Sequence, residues 1–384
     1  MTRSLPRFLI HITAVVLVLA GAAIFIASRS EAESPPPDKP LAQAIQDALS
    51  ASAPEGVSGR LEFSNRLIDA DALPDASLAP LLAGAEGQFW IGDDGRARVE
   101  LETVAGDVQV ELSRDRLSLY EPLSQTLYVA PAAELPNLRG DGGALSPADL
   151  APMLTRITRS FDISGAQPGT VAGKAAYTVR LAPRHDGGLL GAAEVAWDAA
   201  HGIPLRAAVY AQGEPEPVLE LKATDVDFGA VADADLRIER PEGTRVVEID
   251  HAAADHHSGG GGIGRSAAVA EVQAKLDFDL SAPRELAGLP RRSVRTIRLG
   301  DRTGALATYG KGLGALMVIE HPAGDETGPA GGMPGLQQLS IGGATARELT
   351  TALGTLIQFE RGGVSYTVLG SVPPAAAEAA ARAL

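Results

Sequence analysis

The chain has 384 residues, of which 45% are hydrophobic and only 4% aromatic, so it can bury a real core and is long enough for two globular domains. Its 48 acidic residues against 33 basic ones give a formal charge of −15. No Lys/Arg cluster interrupts that excess, which excludes the counterion-release binding that draws proteins to nucleic acid. The absence of cysteine excludes disulfides, thiolate catalysis, Cys-ligated zinc and a lipid-modified N-terminal cysteine.

Arg3 and Arg7 precede an apolar run from Phe8 to Ala27, whose 20 residues match the length that crosses a bilayer core. Residues 1–32 therefore read as an N-terminal transmembrane anchor, with the leading arginines inside and everything after Ala27 extracytoplasmic. Ser30 and Ala32 are small residues at the spacing of a cleavage site, so a cleaved signal peptide is the alternative; both export the rest of the chain. Residues 33–40, which include SPPPDKP, read as a stiff spacer lifting the globular part off the membrane.

An amphipathic helix is predicted next, with Leu41, Ile45, Ala48 and Leu49 on one face. From Val57 the period changes to two. GQFWIGDDGRARVELETV reads as a hairpin turning at Asp93, Asp94 and Gly95; on its second arm Ala97, Val99, Leu101 and Thr103 face one way and Arg96, Arg98, Glu100 and Glu102 the other. Val108, Val110 and Leu112 repeat the alternation, and RLSLYEPLSQTLYVA gives two further strands. SPADLAPMLTRITRSF is predicted as a helix capped by Ser146, with Leu150, Met153, Leu154, Ile157 and Phe161 as its apolar stripe. It could be a lid over the sheet or an ordinary packing helix. Strands resume at KAAYTVRLAP, at the hairpin AEVAWDAAHGIPLRAAVYAQ, and at PVLELKATDVDFGAV. His201 and His185 are expected at the surface, in turns.

The stretch 251–264, HAAADHHSGGGGIG, separates this domain (41–250) from a second (265–384) and reads as a solvated linker. His251, Asp255 and His256 or His257 could form a nitrogen/oxygen set acceptable to zinc, but four following glycines favour hinge material, and no metal is expected. Protonation of these histidines beside acidic neighbours is a further possibility at the hinge. Beyond it come a helix pattern with Val269, Val272 and Leu276 aligned, strands SVRTIRL and ALMVIEHP, a Gly/Pro-rich loop from Pro322 to Pro334, a hairpin turning at Gly362 and Gly363, and an alanine-rich helix started by Pro374. The overall fold class is α+β, in both domains.

GQFWIGDDGRARVELET, DRLSLYEPLSQTLYV and GKAAYTVRLAP…VAWDAAHGIPLRAAVY, in that order over roughly residues 41–231, resemble the extracytoplasmic lipoprotein-carrier superfamily of LolA and LolB. The two-domain layout, with LATYGKGLGALMVIEHP through GGVSYTVLGSV, resembles the RseB-like regulators of the same group. The resemblance implies a curved antiparallel half-barrel with covering helices, whose concave apolar face accepts an acyl chain, followed by a smaller C-terminal α+β domain. Candidate ligand-facing residues are Phe89, Ala97, Val99, Leu101, Val108, Val110, Leu112, Leu117 and Leu119. Candidate lid residues are Arg96 or Arg98 with Leu150, Met153, Leu154 and Ile157. The apolar face could equally be a packed core with no cavity. The expected partners are the membrane, a lipid or lipoprotein acyl chain, and, on the RseB-like reading, the outer part of a membrane-embedded anti-sigma factor whose proteolysis the protein would control.

No nucleophile elbow, P-loop or zincin spacing is present, and Gly259–Gly264 satisfies a dinucleotide fingerprint without the buried strand it needs in front. The sequence therefore reads as a cell-membrane binding protein, neither an enzyme nor in need of a cofactor.

Overall fold

A computed structural model describes residues 33–384 apart from 53, 69–83, 104–105, 114, 132–154, 156, 185–187, 249–268, 300–301 and 325–335. The apolar run 8–27, the histidine-glycine stretch 251–264, His185, Leu150, Met153 and Leu154 lie outside the described residues, and no described helix is long and apolar enough to cross a membrane.

The chain is mostly β, with fewer helices than the α+β expectation. Helix α1 (Leu41–Ser50) leads into a 13-stranded sheet. Its strands are β1 (Gly56–Asn65), β2 (Ala85–Gly92), β3 (Ala97–Glu102), β4 (Val108–Leu112), β5 (Arg116–Glu121), β6 (Thr126–Pro131), β7 (Phe161–Ile163), β8 (Gln167–Val171), β9 (Lys174–Pro183), β10 (Leu190–Asp198), β11 (Pro204–Ala211), β12 (Leu219–Phe228) and β13 (Arg245–Glu248). The spatial order is β13-β6-β5-β4-β3-β2-β1-β12-β11-β10-β9-β7, with β8 also on β9. All pairings are antiparallel except β13 on β6, which is parallel.

This sheet is curled. Lys174 on β9 lies 5.2 Å from the ring of Phe228 on β12, although β10 and β11 intervene. In a flat sheet those strands would be about 14 Å apart. Val57, Phe228 and Val226 accordingly share one core with Val171, Ala176 and Ala196.

Several expectations change here. Phe161, placed on a helix by its spacing from Ile157, opens strand β7; Thr155 and Ile157 are helical, but the turn ends at Ser160. On α1 it is Ala44 that is buried, between Leu41, Ile45 and Ala48, whereas Leu49 is exposed. The proline-rich segment is extended but docked: Glu33 N–H donates to Gly173 O at 2.8 Å and Tyr177 Oη to Pro37 O at 2.6 Å. His201 is half-buried and held by Asp198, whose carboxylate takes both the His201 backbone N–H (2.7 Å) and Nδ1 (2.6 Å). Burial pushes the Asp198 carboxyl up despite its histidine partner. Gly202 beside it has φ +72°, and a Cβ there would meet Ala48 O at 2.4 Å, so only glycine lets this turn seat against α1.

The second sheet has eight strands, β14 (Glu285–Leu286), β15 (Leu289–Leu299), β16 (Arg302–Tyr309), β17 (Leu316–Pro322), β18 (Gln337–Ile341), β19 (Ala344–Thr351), β20 (Gly354–Arg361) and β21 (Val364–Gly370), in the order β14-β15-β16-β17-β21-β20-β19-β18. One face carries Ala307, Val318, Val368 and Ile357 in a cross-strand row, and helix α3 (Pro374–Arg382) closes it. Only small residues face inward from α3, namely Ala377, Ala380 and Ala381, which lets the helix sit close to the strands. The short helix α2 (Val269–Gln273) adds Val272 to the same core.

In the next row of that face, between Ala305 and Tyr366, β17 places Glu320, fully buried. Its Oε2 accepts the Ser281 N–H at 2.8 Å, and Oε1 has no partner among the described residues. Burial pushes this carboxyl up to about 7, against the pull of the Ser281 bond. Because the folded value exceeds the unfolded one, the protein loses stability as pH rises from about 4.5 to about 7 and changes little above, by an amount on the order of 3 kcal/mol. Glu320→Gln should abolish most of this slope, so that denaturant midpoints at pH 5 and pH 8 converge for the variant and diverge for the parent; equal slopes in both would show that Glu320 is ionised in the fold.

Candidate functional site: an apolar face on the first sheet

The pairings from β1 through β6 have no register shift, whereas β1 and β12 are shifted between Arg60 and Leu61. Directly paired residues of antiparallel strands project to the same face. Phe89, Val99, Val110, Leu119 and Tyr128 form one continuous row, and Ile91, Ala97, Leu112, Leu117 and Ala130 form the next. Leu101 and Val108 pair in a third. All nine ligand-facing candidates therefore share one face.

That face is closed at one end and more open at the other. Leu101, Val108 and Val110 are buried; Phe89, Ala97, Val99, Leu112, Leu117 and Leu119 are half-buried. The closed end is packed by Leu61, Phe63 and Leu67 together with Ala352 and Leu353, which form the β19–β20 turn of the second sheet. Ala352 N–H donates to Leu67 O at 2.8 Å, and Ile68 packs against Leu349, Leu356 and Leu369. A second clasp joins the sheets where Leu189 N–H meets Ser371 Oγ at 2.9 Å. There Gly188, at φ +59°, approaches so closely that a Cβ would lie 2.1 Å from Ser371 O. The sequence contains no periodic signal for this insertion: TTALGT reads as a turn, and its target is the other sheet.

Arg96 and Arg98 project to the opposite face. The segment from Gly229 to Thr244 crosses that face as a strap before joining β6 as β13, and it passes over both arginines. Arg96 bonds Asp233 and Asp94 Oδ2 (2.6 Å), which hold its guanidinium above its ordinary range, and Arg96 in turn draws the Asp233 carboxyl below the usual carboxylate range. Arg98 pairs with Glu100, lies 5.0 Å from the Trp90 ring, and reaches the Asp235 carbonyl at 3.5 Å. Glu111 takes the Ile238 N–H at 2.9 Å, and the strap's own Leu236 is buried against the sheet beside Gly92. Both arginines thus hold the strap on the face away from the apolar rows. Of the helical lid candidates, only Ile157 is described, and it is half-buried.

On β9–β12 a charged ladder, Arg180, Glu194, Arg206 and Glu220, crosses four strands with Tyr210 Oη bonded to Glu194 at 2.8 Å. Burial works to raise the Glu194 carboxyl, but its bonds to Arg206, Arg180 and Tyr210 outweigh that and hold it low. The ladder is internally satisfied and leaves no open charge for chemistry. Among the described residues no group of three His, Asp or Glu side chains is arranged to hold a metal ion.

No family model and no curated protein matches the chain. Among solved structures it is similar to MucB in complex with MucA(peri), at 18% identity and a TM-score of 0.41, covering 89% of this chain and 94% of that one. It is similar also to the MucA/MucB complex of Pseudomonas aeruginosa, at 17% identity and a TM-score of 0.42, covering 89% and 96%. A LolA superfamily protein from Nitrosomonas europaea matches at 10% identity and a TM-score of 0.23, covering 52% of this chain and 98% of its own.

The difference between the two ends of the face is measurable. Leu101→Ala, in the packed end, should cost about 3 kcal/mol of unfolding free energy, as large-to-small core changes do. Leu117→Ala, at the half-buried end, should cost about 1 kcal/mol or less by its smaller loss of buried area. Equal costs in urea titrations would mean that the face is uniformly packed.

Proposed function

We propose that the protein is a membrane-anchored, extracytoplasmic lipid- or lipoprotein-binding protein in which the apolar face of β2–β5 receives an acyl chain. The observation that carries this reading is the in-register row Phe89, Val99, Val110 and Leu119, continued by Ala97, Leu112 and Leu117, most of it half-buried rather than sealed in a core. Acyl chains have no hydrogen-bonding groups to satisfy, so a broad apolar surface without polar inserts suits them. Small Ala97 leaves room beside Leu112 and Leu117. The N-terminal run 8–27 supplies the anchor on this reading, and nothing in the site calls for catalysis.

A second reading, that of an RseB-like regulator binding the outer part of an anti-sigma factor and controlling its proteolysis, draws support from the second sheet. On the face away from α3, Arg295, Leu306 and Ile319 run in one cross-strand row that continues through Thr367 and Gln358 to Arg347. Arg295 and Arg347 are exposed and form no ion pair among the described residues. A row of this kind, basic at its ends with both apolar and uncharged polar residues within, suits an acidic polypeptide.

Mass spectrometry of organic extracts from protein purified out of membranes tests the first reading. Acyl species should accompany the parent protein and be depleted in Val99→Asp and Leu119→Asp variants that retain the parent's circular dichroism. A parent protein free of acyl species would overturn the reading. For the second, the ectodomain should bind the extracytoplasmic part of an anti-sigma factor encoded beside it, and Arg295→Glu with Arg347→Glu should weaken that binding at low salt; binding indifferent to both changes would remove this face from the interface.

A further inference from the structure

Residues 33–40, which lead into α1, are fastened to the first sheet at several points. Besides the Glu33–Gly173 and Tyr177–Pro37 bonds, Glu33 Oε2 accepts the Ala175 N–H at 3.1 Å, Lys39 forms a β-bridge with Ala166, and Lys39 Nζ lies 2.7 Å from Asp47. The chain thus meets the sheet at the β8–β9 turn, Ala172–Gly173, and runs from there along β8 toward α1.

That turn lies at one end of the sheet, together with the Asp93–Gly95 turn, the Asp198–Ile203 turn and the start of the strap at Gly229. The second sheet is clasped to the other end, through Leu67, Ile68 and Leu189. Strands β1 and β9, ten residues each, separate the two ends by about 30 Å. Between Ala27 and Glu33 there are six residue steps, which span about 20 Å at full extension.

We infer that in the full chain the end of the first sheet bearing the β8–β9 turn faces the lipid bilayer, and that the second sheet is carried on the far side, away from it. This rests on the proposal that residues 8–27 anchor the protein. The docked segment matters because it consumes the length that would otherwise act as a free leash: with residues 33–40 fixed, the domain cannot turn end over end. The bilayer-facing end displays Glu55 and Asp93, both exposed. Anionic headgroups repel such a rim, so the tether keeps this end near the surface without insertion. Any partner of the second sheet must then reach past the length of the first sheet, and an acyl ligand leaving the bilayer meets the first sheet before the second.

The chain lacks cysteine, so single labels can be placed without background. Asp93→Cys and Glu360→Cys, both exposed positions, would carry a fluorescent donor in full-length protein reconstituted into phosphatidylcholine/phosphatidylglycerol vesicles with a headgroup-labelled acceptor. Energy transfer should be strong from position 93 and much weaker from position 360. Releasing the segment with Glu33→Ala plus Tyr177→Phe should narrow that contrast, because the leash lengthens by about 25 Å. Equal transfer from both positions, or stronger transfer from 360, overturns the orientation while the protein still floats with the vesicles. Protein that alkaline carbonate strips from the vesicles overturns the anchor, and the orientation with it.

Discussion

The uninterrupted antiparallel register from β1 to β6 is the constraint on which the rest of the molecule depends. Because pairing residue for residue keeps every second side chain on the same side, six short strands build one apolar surface and one charged surface with nothing else to define them. A one-residue slip in any of these pairings would bring Arg98 and Glu100 into the apolar rows and expose Val99 and Leu101 to the strap. The charged surface guards against that slip: Arg96 and Arg98 are bonded both within their own strand region and to the strap, so the register is pinned from the polar side as well as from the apolar one.

The same register explains what was legible beforehand. Residues 96–103 alternate cleanly because one face is apolar and the other is charged, and that contrast survives in sequence. Strand β16, RTGALATY, carries little signal in sequence because its inward residues include Ala305 and Ala307, whose weak hydropathy hides the alternation. Strands β18 and β19 flank Gly342 and Gly343 in a stretch of mixed polarity that looks like loop. Phe161 follows Ile157 at a helical interval, and spacing alone could not reveal that the chain turns at Ser160 between them. Gly202 and Pro204 mark His201 as a turn residue; its hydrogen bond to Asp198 three residues earlier forms only when the hairpin is closed.

Which residues share the apolar face was legible in sequence, but where that face closes was not. All nine residues share a face as their parity requires, yet which end of that face is closed depends on Leu353, contributed from more than 200 positions later in the chain. The two sheets are therefore not independent bodies joined only through a linker. A turn of one completes the core of the other, and the Gly188–Ser371 approach holds that fit from a second point. On the proposed function, binding on the apolar face and the seating of the second sheet would draw on the same group of side chains, so a change in either would be felt by the other.

The strap has a consequence for how the protein is made. Arg245 bonds Thr126 across 119 residues, and its strand is the only parallel one in the first sheet among the described residues. During synthesis β6 emerges long before its outer neighbour exists, and for that interval its backbone donors and acceptors are an open template for foreign strands. Closing so long a loop is slow relative to the local hairpins on either side, so completion of this edge is a late event in folding. A chain released before that event would carry this edge uncovered, which makes the acidic, non-periodic stretch from Gly229 to Thr244 as much a safeguard of assembly as a part of the finished fold.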